Sequence, residues 1–309
     1  MSLSRRDVLA MSTAAVAASA LPSRSPAADP AEPFGYSFNT STIRGQKVPV
    51  EEEAKLVARA GYHAIEPWIG ELQDFTRRGG NLKDLGKQIA DLGLKVESSI
   101  GFAKWIVNED LERQKGLDEA KRDMEMVLAI GGKRIAAPPA GATDKAIPEL
   151  GVIAERYRAL AELGAKVGVI PEAEVWGFSK TLSKLGETVL VAMESGHPQA
   201  CVLPDVYHLY KGGSGFDGLK LMAGKAIGIF HVNDYPKDKD RSHIKDADRV
   251  YPGDGVAPLA EVFRTLRDIG YRGMLSLELF NPEYYKRDAY EVVKTGLDKT
   301  RAAVKAALS

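Results

Sequence analysis

The sequence lacks the features that would assign it quickly. It holds a single cysteine, Cys201, in 309 residues, so neither an intramolecular disulfide nor a CxxC metal or redox motif can form. The apolar neighbours in Ala200-Cys201-Val202-Leu203 mark that thiol as buried rather than nucleophilic. Charge of one sign is also missing: Lys+Arg and Asp+Glu both number 42. That leaves no basic field for a polyanion such as DNA or a lipid surface, and a small, near-neutral substrate fits better. No GxGxxG follows the first strand and no GxxxxGK[ST] occurs, which removes the main support for dinucleotide and P-loop readings.

The first thirty residues read as an address. Ser4-Arg5-Arg6-Asp7-Val8-Leu9 sets paired arginines before a moderately apolar run, Val8 to Leu21, rich in Ala and small residues. This is the pattern of a twin-arginine signal, and the run is too short and too weakly hydrophobic for a transmembrane helix, which needs about twenty strongly apolar residues. Residues 1–33 are therefore expected to be leader and spacer, and residues 34–309 one domain. The mature protein is expected in the periplasm or outside the cell, with no stable membrane anchor. Export of already folded chains agrees with the absence of disulfides and with a metal loaded before export.

From Phe34 onward short β-rich runs alternate with amphipathic stretches, the order of parallel βα units. Strands are expected at Gly35–Asn39, Ala64–Trp68, Lys95–Ile100, Arg134–Ala137, Val169–Val175, Ala200–Pro204, Ile227–Val232 and Met274–Leu279. Helices are expected at Val50–Ala60, Leu82–Leu92, Glu119–Ile130, Leu150–Val167, Thr181–Glu194, Pro258–Ile269 and Tyr285–Leu308. Eight strands favour a closed α/β barrel, the (β/α)8 TIM barrel, over an open doubly wound sheet.

In such barrels reactive side chains stand at the carboxyl ends of strands. Glu174, Asp205, His231 and Glu278 each follow an apolar strand core there. Burying a carboxylate costs several kcal/mol unless it is paired or metal-bound, so three carboxylates and one imidazole on one rim suggest one divalent cation. Their donor atoms suit Mn²⁺, Mg²⁺ or Co²⁺, with Zn²⁺ also compatible. Lys180, Lys104, Arg249 and Glu66 are candidate substrate contacts. Trp68, Trp105 and Trp176 follow strands two, three and five, where an aromatic face can stack on a sugar ring.

The chain resembles the xylose isomerase-like TIM-barrel superfamily of sugar isomerases and epimerases from roughly Phe34 to its end. The resemblance rests on Glu-x-Trp-Gly at Glu174–Gly177, Asp-x-x-His at Asp205–His208, His-x-x-Asp at His231–Asp234, Arg249-Val250-Tyr251-Pro252-Gly253-Asp254-Gly255, and the Glu278 strand. It implies that Glu174, Asp205, His231 and Glu278 hold the metal, that Glu174 and Glu278 exchange a substrate proton, and that His208 contacts substrate. Two departures stand out. Lys180 occupies the place of the epimerases' second pocket glutamate, and no arginine stands six residues after His231, so Arg249 is the candidate replacement.

The expected activity is thus metal-dependent isomerisation or epimerisation of a sugar or keto-sugar by proton abstraction next to a carbonyl. β-Elimination from a 3-keto-glycoside begins with the same step and is the alternative, and a non-catalytic sugar-binding barrel is a second. An endonuclease IV-like reading needs many histidine ligands, whereas the chain has five histidines and no footprint for nucleic acid. Long βα loops are compatible with a homo-oligomer.

Overall fold

Eight apolar runs, each followed by an amphipathic stretch, form eight strands in a computed structural model that describes residues 32–309. The strands are β1 (Gly35–Asn39), β2 (Ala64–Glu66), β3 (Lys95–Val96), β4 (Arg134–Ala137), β5 (Ile170–Glu174), β6 (Val202–Leu203), β7 (Phe230–Val232) and β8 (Met274–Leu277). All pair in parallel, in two arcs ordered β3-β2-β1-β8-β7 and β4-β5-β6. Two seams join the arcs. Ser99 N donates to Arg134 O (3.2 Å) and Ala136 N to Ser99 O (2.9 Å) between β3 and β4, while lone bridges Val202–Ile227 and Asp205–His231 join β6 to β7. The sheet therefore closes on itself as a (β/α)8 TIM barrel in one domain. The twin-arginine segment lies outside the described residues, and among those no helix is long and apolar enough to cross a membrane.

Nine helices surround the described strands: α1 (Val50–Ala60), α2 (Ile69–Arg77), α3 (Leu82–Asp91), α4 (Asp110–Ala129), α5 (Leu150–Val167), α6 (Leu185–Glu194), α7 (Val206–Gly212), α8 (Leu259–Asp268) and α9 (Ala289–Leu308). Local chemistry explains their limits. Glu51, Glu52 and Glu53 fill the first turn of α1, where the helix dipole favours negative charge. Gly61 ends that helix at φ 98°, its N–H returning to Val57 and Ala58 carbonyls.

Helix α4 begins nine residues before the expected Glu119, and α6 begins at Leu185 rather than Thr181. The turn at Tyr284–Lys286 delays α9 to Ala289. Helices α2 and α7 were not expected, because nine and seven residues are too few to display a periodic apolar face.

The barrel interior is unusual in what fills it. Such interiors are normally packed with branched apolar side chains, and Ile100, Ala136, Leu203 and Ile229 do form one apolar cluster here. Alongside them Ser37, Asn39, Glu66, Ser98, Glu172 and Ser276 are all fully buried.

One close approach fixes the site's architecture. A side chain at Gly177 would collide with the His208 carbonyl and the Gly212 amide, both backbone atoms of α7. The loop after β5 and helix α7 can therefore touch only through a glycine. Gly177→Ala is expected to lower stability by about 1–3 kcal/mol, read as an earlier midpoint in urea unfolding.

Candidate metal centre and catalytic cavity

Asp205 ends β6 and begins α7, and its two oxygens serve different masters. Oδ1 accepts from His208 N at 2.8 Å and caps the helix. Oδ2 turns inward, receiving Asn233 Nδ2 at 2.9 Å and Arg249 Nη1 at 3.1 Å. The Asp-x-x-His spacing is thus a helix cap: the bond that closes the first turn of α7 also sets the His208 ring beside the barrel axis.

His231 points from the middle of β7 into the barrel. Its Nε2 lies 2.9 Å from Glu66 Oε2, which also accepts from Asn39 Nδ2 (3.0 Å) and Ser276 Oγ (2.7 Å). Its Nδ1 is buried without a hydrogen-bond partner and faces Glu278 Oε2 at 3.3 Å and Asp205 Oδ2 at 3.8 Å. Burial alone would lower the basicity of this imidazole, but the carboxylates of Glu66 and Glu278 raise it well above the ordinary histidine range. Conversely, burial opposes ionisation of Glu278, yet His231 and Arg249 hold its carboxyl below the usual range.

One ligand atom each from Asp205, His231 and Glu278 falls within 4.8 Å of the others. Glu174 stands outside that triad, although its carboxyl is equally buried at the end of β5. Its Oε2 has no hydrogen-bond partner. Burial raises the Glu174 pKa well above the ordinary range; His231 counters this and Glu278 adds to it.

Arg249 is 1% exposed and enters from the far side. Nη1 reaches Glu278 Oε2 at 2.7 Å, and Nη2 reaches Asp246 Oδ1 at 2.5 Å. Two sequence motifs cooperate to deliver it. Asp234 pairs its backbone with Val250 and accepts from the amides of Gly253, Gly255 and Ala257, pinning the segment that carries Arg249. His208 Nδ1 lies 3.3 Å from Gly177 N and Nε2 lies 3.2 Å from Arg249 Nη2, and a neutral ring accepts from only one of these two donors. Burial, reinforced by Arg249 and opposed by Asp205, pulls its pKa down to about 3. His208 is accordingly a neutral hydrogen-bonding group near neutral pH.

Glu174, His208, Arg249 and Glu278, with Asp246, line a cavity of about 210 Å³ walled by Trp68, Ile100, Phe102, Trp176, Phe178 and Phe280. Of the expected substrate contacts, Arg249 and Trp176 line it. Glu66 lies beneath it, on the imidazole of His231. Lys104 and Lys180 are exposed and do not line it. Trp105 is a core residue with its indole N–H on Pro138 O at 2.8 Å, so its face is not offered to a ligand. Asn39, Asn233 and Ser276 are neither ionisable nor aromatic, the two signals that mark candidate residues at strand ends in the sequence. Asn39 ends β1 and Asn233 lies within the His231–Asp234 motif, so the same positional rule would have found both.

The donor set fits a divalent cation. Four buried carboxylates, Glu66, Glu174, Asp205 and Glu278, outnumber the buried arginine and imidazole, and the orphaned Nδ1 of His231 is aimed at two of them. A ligating histidine whose second ring nitrogen is held by a carboxylate is a recurrent arrangement, and removing that carboxylate weakens metal affinity by about 10–100-fold. Glu66→Gln is expected to do the same here, and Asp205→Asn to remove a ligand while keeping the cap on α7. Calorimetric titration with Mn²⁺ and Zn²⁺, beside a urea unfolding curve for each variant, measures both effects.

Residues 54–303 match the family described as Xylose isomerase-like TIM barrel. An inosose isomerase of Bacillus velezensis is 31% identical over 86% of this chain and 96% of the relative. A 3-dehydroshikimate dehydratase of Pseudomonas putida is 22% identical over 74% of this chain and 36% of its own length. Among solved structures, the IOLI protein with a bound zinc atom superposes with a TM-score of 0.81 at 23% identity, covering 88% of this chain and 99% of that one.

Proposed function

The chain belongs to the xylose isomerase-like TIM barrel family, and on that premise we propose that it is a divalent-metal-dependent isomerase or epimerase of a sugar or keto-sugar. The observation that carries this reading is the unpartnered oxygen of Glu174. Glu174 lines the cavity beside the Asp205, His231 and Glu278 triad, and this buried oxygen has no hydrogen-bond partner.

Asp205, His231 and Glu278 would hold the metal, with Glu174 beside them as a fourth ligand or as the proton carrier. A bound dication supplies a Lewis acid that draws electron density from a substrate carbonyl and acidifies the adjacent C–H. Glu174 removes that proton, and its raised pKa suits a carboxylate that must take up a proton and release it again. Both oxygens of Glu278 are already engaged, Oε1 by Asn39 Nδ2 at 3.2 Å and Oε2 by Arg249. Ligation therefore suits Glu278 better than proton removal, and return of the proton from its side requires release from Arg249. His208, neutral and in the wall, orients a substrate hydroxyl.

Return of the proton to the opposite face of the carbon gives epimerisation, and return to the neighbouring carbon gives isomerisation. A dehydratase among the relatives favours a second reading, in which loss of a leaving group follows the same proton removal. The twin-arginine leader adds an export route to the proposal on sequence grounds alone.

Metal-loaded protein incubated with keto-sugars in D₂O is expected to place deuterium at the carbon next to the carbonyl. Glu174→Gln should slow that exchange by about 10²–10⁴-fold. A leaving group appearing in solution selects elimination. Metal bound without exchange across the panel leaves the non-catalytic sugar-binding barrel instead.

A further inference from the structure

Above its buried polar floor the cavity changes character. His208, Phe178, Trp176, Phe102, Trp68 and Phe280 make a continuous arc of rings. Successive centroids are 5.6, 5.0, 6.0, 5.0 and 6.0 Å apart. The floor groups Glu174, His208, Arg249 and Glu278 are all buried, whereas Phe102 and Phe178 are 38% and 44% exposed. The other seven phenylalanines of the chain are buried or half-buried. The two that face water stand on either side of Trp176, at the mouth.

Exposed aromatic faces grouped at the entrance of a polar cavity mark a surface that a ligand covers. A free sugar can stack on one ring of this mouth, but a sugar seated on the polar floor leaves the exposed rings of the rim uncovered. Its hydroxyls call for donors and acceptors, which the floor supplies and the rim does not. A sugar phosphate matches less well still. Among the described residues Arg249 is the one arginine or lysine lining the cavity, and it is committed to Asp205, Asp246 and Glu278. Arg44, 3.9 Å over the Trp68 ring, stands outside the lining. Glu174, Asp246 and Glu278 would meanwhile face the added negative charge. The group that fits the rim is flat, apolar and uncharged.

Resting on the reading of the site as one that takes a sugar or keto-sugar, we infer that the substrate is a keto-glycoside carrying an aryl group, for which unoxidised aryl glycosides serve as binding probes. The sugar occupies the polar floor, and the aryl ring lies against Phe102, Trp176 and Phe178. Two aromatic contacts of this kind amount to roughly a tenfold preference for the aryl compound.

The test compares matched phenyl and methyl β-glycosides of glucose, galactose and xylose, titrated calorimetrically into metal-loaded protein. At least one phenyl glycoside should bind about tenfold more tightly than its methyl partner. The ratio should collapse toward one in a Phe102→Ala/Phe178→Ala double variant and persist in Phe178→Tyr, which keeps a flat ring. Equal binding of the phenyl and methyl compounds, or an unchanged ratio in the double variant, overturns the aryl assignment. If keto-sugars still exchange deuterium in that case, the reading of the site survives and only the aryl group is lost. If exchange and binding are both absent, the underlying reading falls with it.

Discussion

Charge burial is the constraint on which this structure turns. Glu66, Glu174, Asp205 and Glu278 are buried in the throat of the barrel, and isolated carboxylates do not survive in such a place without compensation. Much of the surrounding architecture supplies it. Arg249 is carried in on a segment pinned by Asp234, Asn39 and Asn233 donate from neighbouring strand ends, and His231 lies between Glu66 on one side and Asp205 with Glu278 on the other. The compensation stops short at four atoms of this cluster, Oε1 of Glu66, Nε of Arg249, Nδ1 of His231 and Oε2 of Glu174, and the last two stand beside the triad and the cavity. Nδ1 of His231 and Oε2 of Glu174 are the atoms that a cation and a substrate proton would need.

The division of labour among the acidic groups follows from what each one touches. Asp205 and Glu278 are tied down by several donors, which suits ligands whose position must not drift. Glu174 has a free oxygen and a raised pKa, which suits a group that changes protonation. His208 is held neutral by burial and by the guanidinium beside it, so it serves recognition better than proton transfer.

Much of this was legible in the sequence. The strand count and the strand cores followed from local periodicity, and the rule that reactive residues stand at carboxyl ends of strands brought Asp205, His231 and Glu278 together from positions far apart in the chain. Other features depend on through-space geometry that no local pattern carries. Lys104 and Lys180 follow strands as a substrate contact should, yet their loops turn them to solvent. Trp105 has the composition of a stacking residue but is consumed by the core. Phe102 and Phe178 read as ordinary apolar residues, and only their exposure beside Trp176 distinguishes them. Short helices such as α7 escape periodicity altogether, although the cap from Asp205 signals one.

The seam between β6 and β7 joins the geometry of closure to the chemistry of the centre. That edge of the barrel is held by lone bridges rather than a continuous ladder, and one of them pairs the backbones of Asp205 and His231. A cation held between those two side chains would work as a clasp across one of the barrel's two seams. Because a ligand that binds only the folded state stabilises it in proportion to RT ln(1 + [L]/Kd), the ion would be part of the barrel's mechanical closure as well as of its chemistry. Hydrogen exchange along β6 and β7 would then slow when the ion is loaded, and the protein would carry a record of its metal status in the breathing of one seam.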